Sequence, residues 1–582
     1  LKKAAKQVND RIKKTKLYFY NHLFSIILSM KKITVCINHG SQLQVKSGMT
    51  IRQLLNKYGG EHKPLEYIAI KNNLFASLNE MITENSSIGT FTYFFESSRR
   101  AYENAAVMML QYIVEQNFPD KKLFILHSMA DGIYCEINRG DTITANKIKI
   151  LKNAFSELVD ADIPIVPRLC TREEATTYFL QNKRPDTAEL LKYCSLNYIM
   201  LFALNDRCYW LPSPPAPSTG LIQTYGILKY KRGFVFRNPV ENMPQKLQPF
   251  YNQERLYEIF NEAERWGQIL ELSKISQLNN LIAKNDISDI IKISEALHEK
   301  KIAAIADKID RSRQDKRLIF VAGPSSSGKT TFMKRLYIQL RVLGHRVISI
   351  SLDNYFKDRD ELAREQGDNL NYEVLDALDL KLLNDHLTRL IDGKSIVPPV
   401  YDFISGKKAP GKTEISSDPN TLFIIEGIHG INPGLAESID EQYKFKIYLS
   451  ALTHLNFDDT NRIPTHDTRL IRRIVRDAKY RGYSAADTIK MWKKVVEGEK
   501  QYIFRFQGEA DIMFNSSLAY EICALKQPAE IALKQVDSDD LSHPESERLL
   551  NILAYFLPVD IKEIPPTSIL REFIGESSFR YH

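Results

Sequence analysis

Eight consecutive residues, Gly323, Pro324, Ser325, Ser326, Ser327, Gly328, Lys329 and Thr330, fit the spacing GxxxxGK[ST], and Thr331 adds a second hydroxyl. Glycines in such a loop let the backbone curl until successive N–H groups face one way, forming a cradle for phosphate oxygens. Lys329 has the reach for the terminal phosphates, and Thr330 offers a hydroxyl to Mg²⁺. ATP and magnesium are the cofactors this implies. Two carboxylates close apolar runs: Asp353 after residues 347–352, and Glu426 after residues 422–425. Beside a bound phosphate, Asp353 can take or orient the proton of an attacking hydroxyl. Glu426 is expected to hold magnesium, directly or through water. Arg469, Arg472, Arg473 and Arg476 form a helical run with Arg481 beyond it. Offsets of three, four and seven put Arg469, Arg472 and Arg476 on one face, where guanidinium groups can neutralise phosphate charge and exclude water.

These groups act together only if a scaffold gathers them. Residues 318–322 are a short apolar run of buried-strand type, and residues 331–340 have helical periodicity. The loop is therefore set between strand and helix, with the positive end of the helix dipole facing the phosphates. From residue 311 to 540 strands and helices alternate, which predicts an α/β domain with a parallel sheet. The carboxyl ends of parallel strands line one crevice, so Asp353 and Glu426 are expected beside the loop.

Upstream, the pattern differs. Residues 30–95 are β-rich: residues 33–37 alternate as a strand, Gly40-Ser41 turns it into 43–45, and residues 50–55 read as a capped helix. Residues 96–240 are mixed α+β. Residues 241–310 carry Leu256, Ile259, Phe260, Ala263, Trp266 and Leu270 at helical spacing and read as a helical connector. Residues 541–582 read as a helical tail, with a Pro-started helix over 564–574.

The stretches GPSSSGKTTF, SLDNYF, NYEVLDALD, PPVYDF, FIIEGIHG and TRLIRRIVRDAKYRG occur in the order seen in uridine kinases and their phosphoribulokinase relatives. The resemblance covers roughly residues 315–520. It implies a P-loop kinase that moves the γ-phosphoryl of ATP to the 5′-hydroxyl of a nucleoside, with Asp353 as the catalytic base. By the same resemblance Glu373 stands where an aspartate touches the ribose, and Tyr401 where a tyrosine lines the nucleoside site. Arg473 matches a substrate contact, while Arg476 and Arg481 resemble arginines that close over the phosphates. Departures cluster at the base pocket: Gly406 replaces a histidine, Tyr483 an arginine and Met491 a glutamine. A sugar or another small alcohol therefore stays open as acceptor.

Residues 30–95 resemble the TGS domain, a β-grasp module. Residues 96–240, with 118–119, 127–136 and 217–222, resemble the second N-terminal domain of threonyl-tRNA synthetases, which edits mischarged tRNA through two His of an HxxxH and a Cys and His of a CxxxH. The matching positions are Asn104, Met108, Leu211 and Pro215. None has a side chain of the family's ligand type, so the editing chemistry is expected to be missing.

Bulk composition narrows the partners. Of a net charge of +8, residues 1–29 hold six, from Lys2, Lys3, Lys6, Arg11, Lys13, Lys14 and Lys16 against Asp10. The remaining chain is close to neutral, which argues against tRNA or another nucleic acid as partner, although an RNA-binding or regulatory role for residues 30–240 is the competing reading. The apolar residues at 23–28 are too few to span a bilayer. No other segment resembles a membrane helix, Met30 reads as the natural start, and 1–29 as an upstream leader. Six scattered cysteines without CxxC spacing read as reduced thiols of a cytoplasmic protein. Homo-oligomerisation stays open.

Overall fold

The computed structural model describes residues 32–38, 40, 42–58, 65–129, 132–313, 315–367, 371–402, 405–418, 420–453 and 455–581. The leader read at 1–29 and Ser41 of the expected turn lie outside them. The chain divides into two compact units. One runs to Tyr251 and takes in Asp458–Asn461 and Asp537–Asn551; the other comprises Asn252–Phe457, Arg462–Val536 and the residues from Ile552 on.

In the first unit a five-stranded sheet has the order Gln42–Lys46, Lys32–Ile37, Ser86–Thr92, Glu66–Lys71, Leu74–Ala76. Only its Lys32–Ile37/Ser86–Thr92 pair is parallel. The helix Ile51–Tyr58 starts where the capped helix was expected. Thr50 Oγ1 accepts from the Gln53 N–H at 3.1 Å, and Gln53 Oε1 accepts from the Thr50 N–H at 3.0 Å, so two end donors are satisfied reciprocally. Ile51, Leu54 and Leu55, spaced for one face, are buried. A four-stranded antiparallel sheet follows in the order Gly226–Tyr230, Gly233–Arg237, Gly132–Ile137, Leu123–Met129. The helices Glu96–Asn117 and Ala145–Asp160 contribute to the same core. The segment Asp458–Asn461 is integral to this unit. The buried Asp458 carboxylate accepts from Thr187 Oγ1 at 2.9 Å and from the Asn461 N–H at 2.8 Å, and Arg184 Nη2 is 3.7 Å away.

The second unit opens with the helices Glu254–Ile269, Ile275–Ala283 and Ile287–Ser312. Leu256, Phe260 and Ala263 of the expected stripe are buried. Glu299 on the third helix accepts from Arg335 Nη2 at 2.7 Å. The sheet is parallel throughout, in the order Arg346–Ser351, Thr421–Glu426, Leu318–Ala322, Lys444–Ser450, Ile512–Asn515. Every residue of Leu318–Ala322 is buried, as a central strand covered on both faces requires. Of the helix expected over 564–574 only the last turn, Arg571–Ile574, forms. Pro565 and Pro566 lack N–H donors, and the chain instead turns with Ser568 N–H on the Pro565 carbonyl. Among the described residues no helix is long and apolar enough to cross a membrane.

Candidate active site

The phosphate loop occupies the bend between the strand Leu318–Ala322 and the helix Lys329–Val342. Ser326 (φ +58°) and Gly328 (φ +84°) take the left-handed conformation that curls it. At Gly328 a Cβ would also meet Ile569 Cγ2 at 2.6 Å. Lys329 bends back over its own loop, donating to the carbonyls of Gly323 at 3.0 Å and Pro324 at 3.3 Å. Thr330 is the second residue of the helix, and the hydroxyl of Thr331 is held by Glu572 at 2.7 Å.

Register brings the two carboxylates to this bend. Ser351 and Val321 both pair with Glu426 across adjacent strands, and Asp353 follows in the short turn Leu352–Tyr355. Burial raises the Asp353 carboxyl above its ordinary range, opposed by Lys329 and Arg481. Glu426 is pushed up to about 7, first by burial, with Lys329 opposing and Asp353 and Glu572 reinforcing. Glu373 likewise rises to about 7, first by burial, then by the charge of Glu499, against Arg473 and Lys329. Its side chain lies against Gly498, where a Cβ would stand 2.6 Å from Glu373 Cβ.

The arginine helix, Thr465–Tyr480, does not present one guanidinium face. Leu470, Ile471, Ile474 and Val475 are buried, and that packing carries Arg469 and Arg472 inward as well. There they brace the loop. Arg469 Nε donates to the Ser325 carbonyl at 3.0 Å and its Nη2 pairs with Glu499; Arg472 Nη1 donates to the Ser326 carbonyl at 3.3 Å and its Nη2 pairs with Glu521. Glu499 also accepts from the Ser325 N–H at 2.7 Å. Arg469, Arg472 and Arg476 lie on one helical run as spaced, but its face is turned inward, and the first two are interior supports of the loop, not an open guanidinium face. Arg473 reaches the loop, donating from Nη1 to Ser325 Oγ at 2.9 Å. The fully buried Asp477 gathers Arg473 (3.2 Å), Arg476 (2.8 Å) and Arg481 (3.7 Å).

Tyr401 is buried, its ring edge-to-face on Phe356 at 5.7 Å. Burial raises its hydroxyl pKa, and the neighbouring Tyr372, towards which the Tyr401 O–H donates, adds to the rise. Gly406 (φ +69°) has no room for a side chain, because Arg359 Nε would lie 2.6 Å from its Cβ. Tyr483, two residues beyond Arg481, is exposed. In the first unit, Met108 and Leu211 are core residues, and Asn104 Nδ2 donates to Ser213 O at 2.9 Å and Oγ at 2.8 Å.

Thr330 and Glu426 fit magnesium by donor chemistry. Both offer hard oxygen, and a cation would relieve the proton affinity of a carboxyl raised to about 7. Among the described residues no cluster of three or more His, Cys, Asp or Glu could hold a metal. Asp477, Glu499, Glu521, Arg359 and Glu572 were missed by the sequence reading. Asp477 alone carried a signal, since it stands four residues from both Arg473 and Arg481.

Residues 318–522 match the model of the phosphoribulokinase/uridine kinase family. Three relatives bear the name uridine kinase. The protein of Lactobacillus johnsonii is 31% identical over 199 residues, covering 32% of this chain and 85% of its own length. That of Brevibacillus brevis is 36% identical, covering 31% and 74%, and that of Mycoplasma pneumoniae 32% identical, covering 35% and 87%. A P-loop with two carboxylates on one sheet edge, joined to relatives matched over most of their length, means that the chain belongs to the phosphoribulokinase/uridine kinase family.

Proposed function

We propose that the protein is an ATP-dependent, magnesium-requiring kinase that phosphorylates the 5′-hydroxyl of a nucleoside in the cytoplasm. The observation that carries this reading is the shared register of Val321, Ser351 and Glu426, which sets Asp353 and Glu426 at the mouth of the phosphate loop. The loop N–H groups and Lys329 bind the triphosphate. Asp353 accepts the proton of the attacking hydroxyl, and Glu373 with Tyr401 orients the acceptor sugar. Arg473, Arg476 and Arg481 neutralise charge on the transferring group. Thr330 and Glu426 would hold magnesium, which would supply further neutralisation of phosphate charge.

Purified protein is expected to consume ATP only when a suitable nucleoside is added, and Asp353→Asn to lower kcat by about 10²–10⁴-fold. Silence across a complete nucleoside panel would sink the acceptor class. Arg359 packed over Gly406, with Tyr483 exposed, favours a second reading in which the acceptor is a sugar or another small alcohol. Thermal-shift screening of nucleosides against sugars separates the two. For the first unit we propose a TGS-like module over 30–95 and a synthetase-like module over 96–240 without editing activity, supported by the apolar packing at Met108 and Leu211.

A further inference from the structure

Residues 561–581 lie beyond the family match, which ends at 522, and they are built against the phosphate loop. Arg571 staples the turn: its Nη2 donates to the carbonyls of Ile564 at 2.6 Å and Ile561 at 2.9 Å. That fixes Ile569 over Gly328 and aims Glu572 at the start of the helix Lys329–Val342. Glu572 Oε2 accepts from the Thr331 N–H at 3.3 Å and from the Thr331 hydroxyl at 2.7 Å. Tyr581 completes the arrangement, its hydroxyl 2.9 Å from Thr331 Oγ1 and 3.1 Å from Ser577 Oγ. The arginine helix holds the same segment, through Lys479 Nζ on the Ile574 carbonyl at 2.5 Å and Arg472 over the Phe573 ring at 5.2 Å.

The Thr331 N–H is one of the unpaired donors of a helix N-terminus, and in a phosphate loop those donors face the nucleotide. Here a carboxylate already holds the Thr331 N–H together with the Thr331 hydroxyl. A phosphate oxygen and a carboxylate oxygen cannot share one donor pair without strong like-charge repulsion. We propose that the segment Ile569–Tyr581 is part of the donor-nucleotide site and that Glu572 is its built-in competitor, seated on Thr331 until the phosphates of ATP displace it. The proposal rests on the loop being a nucleotide site, but not on any particular acceptor. Entry of ATP exchanges one anion for another at Thr331 and frees the turn that carries Glu572. Nucleotide affinity is thereby tied to how firmly Arg571, Lys479 and Arg472 hold that turn.

The test is direct ATP binding by the full-length chain with magnesium and no acceptor, by calorimetry. Glu572→Ala is expected to bind about tenfold more tightly than wild type, the effect of removing one competing charge-assisted hydrogen bond. Glu572→Gln, which keeps the shape and loses the charge, is expected to tighten binding by a smaller factor. It serves alone if the alanine variant does not fold. The exposed Glu563→Gln is the control and should match wild type. In wild type, amides 569–575 should lose hydrogen-exchange protection when ATP is added. Weaker or unchanged binding in both Glu572 variants, or a gain of protection at 569–575, overturns the proposal. Absence of ATP binding in wild type and variants alike overturns the nucleotide site itself, and the proposal with it.

Discussion

Glu426 shows what a buried strand end does to a side chain. Its carboxyl ionises near 7 in the folded chain against an ordinary 4.5. Between those values the folded state binds the extra proton, so its contribution to stability falls as pH rises through the window. Glu426→Gln cannot ionise and escapes that loss. Its melting temperature is expected to exceed wild type at pH 8 by the equivalent of on the order of 2 kcal/mol, with the gap closing toward pH 5. A gap independent of pH would show that Glu426 is not held near 7. Glu373, also raised to about 7, has a consequence in binding rather than folding. An ionised carboxylate accepts hydroxyl hydrogen bonds best, so the KM for the acceptor is expected to rise as pH falls below 7. Initial rates at saturating ATP across pH 5.5–8.5 would measure it.

At the scale of elements, the helix Thr465–Tyr480 splits one run of arginines into two kinds. Arg472 is fully buried and paired with Glu521, whose other oxygen accepts from Ser517 Oγ at 3.2 Å. Removing one partner of such a pair leaves a buried charge uncompensated, so Glu521→Gln is expected to cost about 3 kcal/mol in a denaturant titration. A loss under 1 kcal/mol would mean that water reaches Arg472. The two kinds were not separable in the sequence, because the spacing that puts Arg469, Arg472 and Arg476 on one face does not say which face the core covers. The phosphate loop and the two strand-end carboxylates were legible, since each is a contiguous signal: a spaced motif or an apolar run ending in Asp or Glu. Glu499 and Glu572 were not. Their partners, Ser325 and Thr331, stand 174 and 241 residues away in the chain, and no local pattern encodes a pairing of that length. The same limit explains the tail, where Pro565 and Pro566 have the local pattern of a helix start yet support a turn.

For the whole molecule, charge is the widest-ranging property. Six of the eight net positive charges fall in residues 1–29, so the rest offers little field to a polyanion. The full chain is expected not to retain tRNA at 150 mM salt in a filter-binding assay. Retention with a steep salt dependence would favour the RNA-binding reading of the first unit. The parallel sheet has a different long-range consequence. Val321, Ser351 and Glu426 share one rung, and two of the strands that carry them, Leu318–Ala322 and Thr421–Glu426, are buried along almost their whole length. Amides in such a rung open only when the unit unfolds as a whole, whereas short turns open singly. The two sides of the candidate site therefore live on different clocks. The rung that positions Glu426 keeps its geometry for as long as the unit is folded, while the short turns carrying Asp353 and Glu373 can open within that lifetime. Substitutions that adapt the chain to a new acceptor can accumulate in the fast part without loosening the slow one.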